Sequence, residues 1–218
     1  AESFVQVIEG LTLRQNLDRL TVMPLEAVAP TSGLLRRKLA WCPDCLNDWQ
    51  QKVSLTYWPL LWSIKTVIVC PQHKQLLREV CPTCYCYQEL LPSISNIGYC
   101  SSCGEWLSSN GEVPLQYKLR ELKLKKELDW HLWVANSMGQ LVSIVTQHKK
   151  IISKSSIKKN VLGNSNNLNI SKYQLSDKAR QEKRLNLNGL LKICYGTCIP
   201  IASLIFDEWS PSGNIGRG

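Results

Sequence analysis

Within the 218-residue chain, the fold is constrained most by residues 41–106, where four short cysteine or cysteine–histidine pairs follow one another. They read Trp41-Cys42-Pro43-Asp44-Cys45, Val69-Cys70-Pro71-Gln72-His73, Val80-Cys81-Pro82-Thr83-Cys84 and Tyr99-Cys100-Ser101-Ser102-Cys103. A two-residue gap lets one tight turn aim two thiolates, or a thiolate and an imidazole, at a single cation. In chain order the pairs close into two tetrads: Cys42, Cys45, Cys70 and His73, then Cys81, Cys84, Cys100 and Cys103. Four protein ligands leave no position open for water, so the spacing predicts two structural zinc ions and no catalytic one. Pro43, Pro71 and Pro82 supply the fixed φ such turns need, and Gly104 suits a position of positive φ.

Ten cysteines would also fit a secreted disulfide scaffold. The opening Ala1-Glu2-Ser3-Phe4 lacks the basic start and apolar core of a signal peptide, so the metal reading is preferred. A thioredoxin-like redox pair is the weaker rival, because redox motifs rarely come as four successive half-sites. Cys86 sits too close to Cys84 for a knuckle and reads as a free thiol, and Cys194 and Cys198 read as small buried residues. His131 and His148 read as ordinary surface or core histidines. The chain opens on Ala1 and not on Met, the pattern expected of a fragment. No apolar run approaches the roughly 20 residues of a membrane span, so no membrane partner is expected.

The fold class expected is mainly α with small zinc-bound β knuckles: a tandem zinc-finger region between helical segments, with a degenerate helix-turn-helix-like carboxy-terminal part. Residues 1–40 form a helical, incomplete amino-terminal segment, in which Leu13, Leu17 and Leu20 share a helix face and Gly33 precedes a basic turn, Arg36-Arg37-Lys38. Residues 41–110 are the zinc-binding region. Within it Thr66–Val69 reads as a short strand, and a short helix starts near Pro59. Trp41, Trp49, Trp58, Trp62 and Trp106 flank the ligands, and thin zinc modules use such side chains for burial. Residues 111–150 are helical, with Leu115, Leu119, Leu122, Leu128, Leu132, Ala135 and Val142 on the apolar period and a break or kink at Gly139. Residues 151–218 form a basic linker, a helix-turn-helix-like pair and a disordered tail. There, residues 163–167 are a loop, Ser171 caps a helix start, Leu187, Leu190, Leu191 and Cys194 share an apolar face, Gly196 ends that helix and Pro200 opens another.

Charge separates these parts. The formal net charge is +9, yet residues 114–186 alone carry +10 and the remainder −1. Two zinc sites with seven thiolates would lower the total to about +6, all of the excess lying beyond the metal region. A concentrated basic excess favours a polyanion, most simply DNA. Lys118, Lys123 and Lys126 are the candidate phosphate contacts on the first helix of that region, and Lys172, Tyr173, Gln174, Lys178 and Arg180 on a recognition-type helix. No paired His–carboxylate motif, Walker-type glycine loop or G-x-S-x-G element is present, so an enzyme is not expected.

The run Gly33-Leu34-Leu35-Arg36-Arg37, then Trp41–Cys45, Pro59-Leu60-Leu61-Trp62, Val69–His73 and Cys81–Cys84 resembles the TniQ family of transposition proteins, relatives of the TnsD target-selection proteins. The segments Leu132–Asn136 and Leu190–Tyr195 are similar to that family in a cyanobacterial style. The resemblance implies a non-enzymatic adaptor of the bacterial cytoplasm, encoded by a mobile element. It would connect DNA, or a CRISPR effector complex with its guide RNA as in CRISPR-associated transposons, to an AAA+ ATPase regulator of transposition. It also implies two bound Zn²⁺ ions at the eight ligands named above, and leaves a homodimer open. Two departures stand out. The resemblance implies a further helical segment upstream of Ala1, and a truncated member is expected. Asn- and Ser-rich residues separate Gly163 from Ile170, where a helix-turn-helix has a turn of about 3–4 residues. A zinc-containing transcription regulator and an inactive mobile-element remnant are the alternative readings.

Overall fold

The computed structural model describes residues 2–23, 25, 33–52, 55–90, 96–109, 115–147 and 187–205. The chain divides into two compact units, Ser32–Gly139 and a second made of Ala1–Thr31 with Gln140–Gly218. The described residues contain six α-helices: α1 (Glu2–Thr12), α2 (Pro43–Gln51), α3 (Leu60–Ser63), α4 (Leu115–Gln147), α5 (Leu187–Thr197) and α6 (Ile201–Ile205), plus one 3₁₀ turn at Leu17–Leu20. None of these helices is long and apolar enough to cross a membrane.

The unit Ser32–Gly139 is built from hairpin turns. Among the described residues, extended pairing is confined to single bridges, Leu35 to Ile64, Lys38 to Glu89, Trp41 to Arg78, Val69 to Leu76, Val80 to Tyr87 and Tyr99 to Trp106. The expected strand at Thr66–Val69 is therefore corrected to one bridging residue, Val69; chain reversal at each metal turn leaves no length for a ladder. Residues 35–41 bridge to three other segments of the unit, at Ile64, Glu89 and Arg78. Trp41 and Arg78 exchange both main-chain hydrogen bonds (2.9 and 2.8 Å), and Leu39 N–H donates to Gln88 O (2.9 Å). Trp41 is fully buried, and its indole Nε1 donates to Leu107 O at 3.0 Å. Ile64, Val67, Val69, Leu46, Leu77 and Leu107 are fully buried with it, forming the core of the unit.

Arg36 belongs to that core. Its guanidinium donates from Nε to Trp62 O at 2.8 Å, from Nη1 to Glu79 Oε1 at 2.6 Å and from Nη2 to Val67 O. The neighbouring Arg37 is exposed. The basic turn read from sequence is thus half scaffold, because one planar fork can satisfy two buried carbonyls and a carboxylate together.

Helix α2 begins at Pro43, where the sequence reading expected only a metal turn. Pro43 occupies the first turn, where its missing N–H costs nothing, and Asp44 complements the amino-terminal end of the dipole. Pro59 stands immediately before α3 as its N-cap residue. Helix α4 has non-helical dihedrals at Glu127 (φ −124°, ψ 17°), so the bend lies there, and the break expected at Gly139 is not made. A Cβ at Gly139 would sit 3.8 Å from Leu61 Cδ2 of α3, an ordinary contact, so the packing there does not require glycine. Leu124, Val134, Ala135 and Met138 are buried, Leu128, Leu132 and Val142 half-buried, whereas Leu119 and Leu122 are exposed, contrary to the apolar face assigned to them.

In the other unit, α1 ends at Thr12 and the chain turns through positive φ at Leu13 (54°) and Asn16 (63°). Leu13, Leu17 and Leu20 therefore share no helix face, and Leu13 and Leu20 are exposed. Leu187, Leu190, Leu191 and Cys194 are buried on one side of α5, as their spacing predicts. The helix passes Gly196 and ends at Thr197, where Cys198 takes φ 57° and Ile199 N–H caps Cys194 O at 3.1 Å. Pro200 then precedes α6, whose Ile201 and Ala202 are buried. The loop at 163–167, the helix start at Ser171, the helix-turn-helix-like stretch 157–185 and the tail from Ser210 lie outside the described residues.

Candidate metal centres

Three of the four half-sites share one backbone design. Residue i of each pair accepts from the N–H four residues on: Lys74 N to Cys70 O (2.8 Å), Tyr85 N to Cys81 O (3.0 Å) and Gly104 N to Cys100 O (2.9 Å). Its own N–H donates to the carbonyl five residues on, at Gln75 (2.8 Å), Cys86 (3.0 Å) and Glu105 (2.8 Å). The fourth position takes positive φ in all three, at Lys74 (52°), Tyr85 (59°) and Gly104 (75°). Gly104 is the residue this conformation favours. Lys74 and Tyr85 adopt it against a penalty of roughly 1 kcal/mol each, and sequence reading missed both. The remaining half-site differs: Cys42 is the N-cap of α2 and Cys45 lies in its first turn.

The eight predicted side chains converge as two groups, Cys42, Cys45, Cys70 and His73, and Cys81, Cys84, Cys100 and Cys103, with all ligand atoms of a group within 4.8 Å of one another. In the first, Nδ1 of His73 lies 3.4 Å from Cys42 Sγ, 3.3 Å from Cys45 Sγ and 3.8 Å from Cys70 Sγ, and the Cys45 and Cys70 sulfurs are 3.6 Å apart. In the second, Cys81 and Cys103 sulfurs are 3.7 Å apart and those of Cys84 and Cys100 3.6 Å. A tetrahedral ion with metal–sulfur bonds of ~2.3 Å spaces its sulfurs by ~3.7 Å. The two clusters therefore have the size to hold two metal ions.

The surroundings suit a cation too. Asp48 Oδ2 lies 3.4 Å from His73 Nε2, so the imidazole turns Nδ1 towards the sulfurs and its other nitrogen towards a carboxylate. Asp48 comes one helical turn after Cys45, a signal the sequence did carry. Gln75 Nε2 donates to Cys42 Sγ at 3.1 Å, Gln88 Nε2 to Cys100 Sγ at 3.2 Å, and the main-chain N–H of Thr83 and Ser102 to Cys81 and Cys100 Sγ, both at 3.4 Å. Neither glutamine was readable from spacing.

These donors divide the thiols. Contacts with Cys42 and Cys45 hold the Cys70 thiol down to about 2, while Cys45 is pushed upward by its contacts with Cys42 and Cys70. Burial raises Cys100, but the N–H groups of Cys103 and Ser102 outweigh it and bring the thiol to about 6. Cys86 is exposed and stands outside both groups.

The tryptophans serve burial in part: Trp41 and Trp62 are buried, Trp49, Trp58 and Trp106 half-buried. Trp49 stacks on Tyr57 at 4.7 Å, and Trp106 meets Tyr99 edge-on at 5.0 Å. The two modules are joined by Trp41 through Leu107 and by Ser108 Oγ, which donates to Pro43 O at 2.6 Å.

The DNA candidates fare unequally. Lys123 and Lys126 are exposed on α4, Lys118 lies on the same helix, and Lys172, Tyr173, Gln174, Lys178 and Arg180 fall outside the described residues. His131 has an acidic neighbour that the sequence reading overlooked: Glu127 Oε2 lies 3.6 Å from its Nε2, one turn earlier. Burial lowers the His131 pKa against that carboxylate's pull.

No curated protein matches the chain. The TniQ family model matches residues 6–77, a span that holds the whole first tetrad together with Arg36 and its partners Trp62 and Val67. That match identifies residues 6–77 as a TniQ domain, a kind of domain associated with transposition.

Proposed function

We propose that the chain is a DNA-transposition adaptor without catalytic activity of its own, linking a target-bound component to an AAA+ ATPase regulator in the bacterial cytoplasm. The single observation that carries this reading is the TniQ match over residues 6–77, which encloses a complete metal tetrad. The targeting component is DNA or a CRISPR effector complex with guide RNA. The ions are Zn²⁺, since two thiolate-rich tetrahedral groups with closed ligand sets suit that metal best. Cys42, Cys45, Cys70 and His73 would hold one ion, Cys81, Cys84, Cys100 and Cys103 the other. Each would cross-link two turns and fix the surfaces between them.

DNA contact is assigned to the basic residues after the metal region: Lys118, Lys123 and Lys126, then Lys172, Tyr173, Gln174, Lys178 and Arg180. The exposure of Lys123 and Lys126 supports it. A pull-down with the purified ATPase of the same element, with and without DNA, tests the reading. Retention of the ATPase is expected. Sequence-specific DNA binding with no ATPase retained would replace the adaptor by a regulator. Replacing Lys123 and Lys126 by Ala should lower the salt slope of DNA binding by about 2; an unchanged slope would remove α4 from the interface.

A further inference from the structure

We infer that Gln88 is the positioning residue of the second tetrad, its buried amide holding the Cys100–Cys103 turn in ligating register with the Cys81–Cys84 turn. The inference rests on the reading of that tetrad as a metal site. Glutamine is mostly a surface residue, yet Gln88 is 2 % exposed. Its Nε2 donates to Cys100 Sγ at 3.2 Å and to Cys86 O at 3.1 Å. Its Oε1 accepts from Ser101 N–H at 2.8 Å and from Ser101 Oγ at 3.0 Å. A primary amide has two donors and two acceptor lone pairs, and each is occupied here.

The partners explain the role. Cys86 O belongs to the first turn; Cys100 Sγ and both Ser101 groups belong to the second. Gln88 itself follows the bridge that closes the first turn, Val80 to Tyr87. Across the site the turns otherwise meet through sulfur pairs 3.6 and 3.7 Å apart. Those sulfurs repel one another as they ionise, so they cannot set their own register. A neutral amide can do so at any protonation state. It also places an N–H dipole on one sulfur, which favours the ligating thiolate. The carbonyl of Gln88 accepts from Leu39 N–H, which pins the residue to the segment leading into Cys42.

The test uses the full chain with Co²⁺ and Zn²⁺ as probes, titrated in competition with a chelator. Cobalt absorption separates a four-thiolate site from a three-thiolate, one-imidazole site. Gln88→Met keeps the volume and removes all four hydrogen bonds. The expected result is binding about 10–100-fold weaker at the four-thiolate site, little change at the other, and faster exchange of the Ser101 amide. Wild-type affinity at the four-thiolate site would overturn the inference. Equal weakening at both sites would also overturn it, as the mark of a general loss of stability. Gln88→Glu, which keeps the shape and turns a carboxylate on Cys100, is the second variant. The same selective loss is expected, and wild-type affinity there would count equally against the role. A wild-type chain that fails to bind at the four-thiolate site would instead refute the metal reading, and the inference with it.

Discussion

Replacing Arg36 by Met should be the most damaging surface-neutral change in the amino-terminal half of the Ser32–Gly139 unit. The side chain is 7 % exposed and makes three hydrogen bonds, to Trp62 O, Val67 O and Glu79. Met fills the volume but leaves two carbonyls and a carboxylate without their donor. Each buried unpaired group costs roughly 1–3 kcal/mol, and breaking a buried ion pair costs about 3–5 kcal/mol in all. The Glu79 side chain retains 24 % exposure, so water recovers part of its loss. An overall penalty of about 3–4 kcal/mol follows. With a urea slope of about 2 kcal/mol per molar, the unfolding midpoint should drop by roughly 1.5–2 M. The assay is tryptophan fluorescence in urea at fixed free metal, because bound ion adds its own stabilisation. Arg37→Met is the control, expected within about 0.5 kcal/mol of wild type. A loss under about 1 kcal/mol for Arg36→Met, or equal losses for the two arginines, would refute the clamp.

Chelation should unfold the Ser32–Gly139 unit, read as loss of near-ultraviolet signal from its buried tryptophans, and two metal equivalents should restore it; a signal that survives full chelation would refute a structural role for the ions. Gly98 has φ 91°, and a Cβ there would lie 2.2 Å from Trp106 Cζ3, so Gly98→Ala should displace the indole and cost several times the roughly 1 kcal/mol expected for Gly104→Ala, whose Cβ meets nothing within 4 Å. Comparable melting temperatures for the two variants would contradict this. Burial raises the Cys194 thiol from 9.0 to about 12, so between those values the unfolded chain has lost a proton that the native chain keeps, and stability falls as pH rises. Cys194→Ala should flatten that decline relative to wild type, and parallel pH profiles would show that the thiol is not responsible.

What could be read from sequence was whatever is local. The convergence of eight side chains into two clusters was legible because a Cys-x2-Cys or Cys-x2-His turn is written within a few residues, and the apolar side of α5 because Leu187, Leu190, Leu191 and Cys194 repeat at helical spacing. Arg36 and Arg37 are chemically identical neighbours, and their opposite fates depend on Trp62, Val67 and Glu79, up to 43 positions away. Gln88 was invisible for the same reason, its partner Cys100 being brought near only when the second tetrad closes. The helix face assigned to Leu13, Leu17 and Leu20 failed because Leu13 and Asn16 take left-handed backbone, which hydrophobic periodicity does not encode. At α4 the bend belongs to Glu127, a good helix former, and not to Gly139.

The hydrogen bond from Trp41 to Leu107 has a consequence for synthesis of the chain. The first tetrad is complete once His73 has left the ribosome, and the partners of Arg36 are complete at Glu79. The indole beside Cys42 must wait until Leu107 emerges, 66 positions after itself. At about 5–20 residues per second, the interval between His73 and Leu107 lasts roughly 2–7 s. During that interval a nascent chain can close its first metal turn while the buried tryptophan still lacks its acceptor. The acceptor of the Trp41 indole thus belongs to the second module, and a chain halted before Leu107 would lack it.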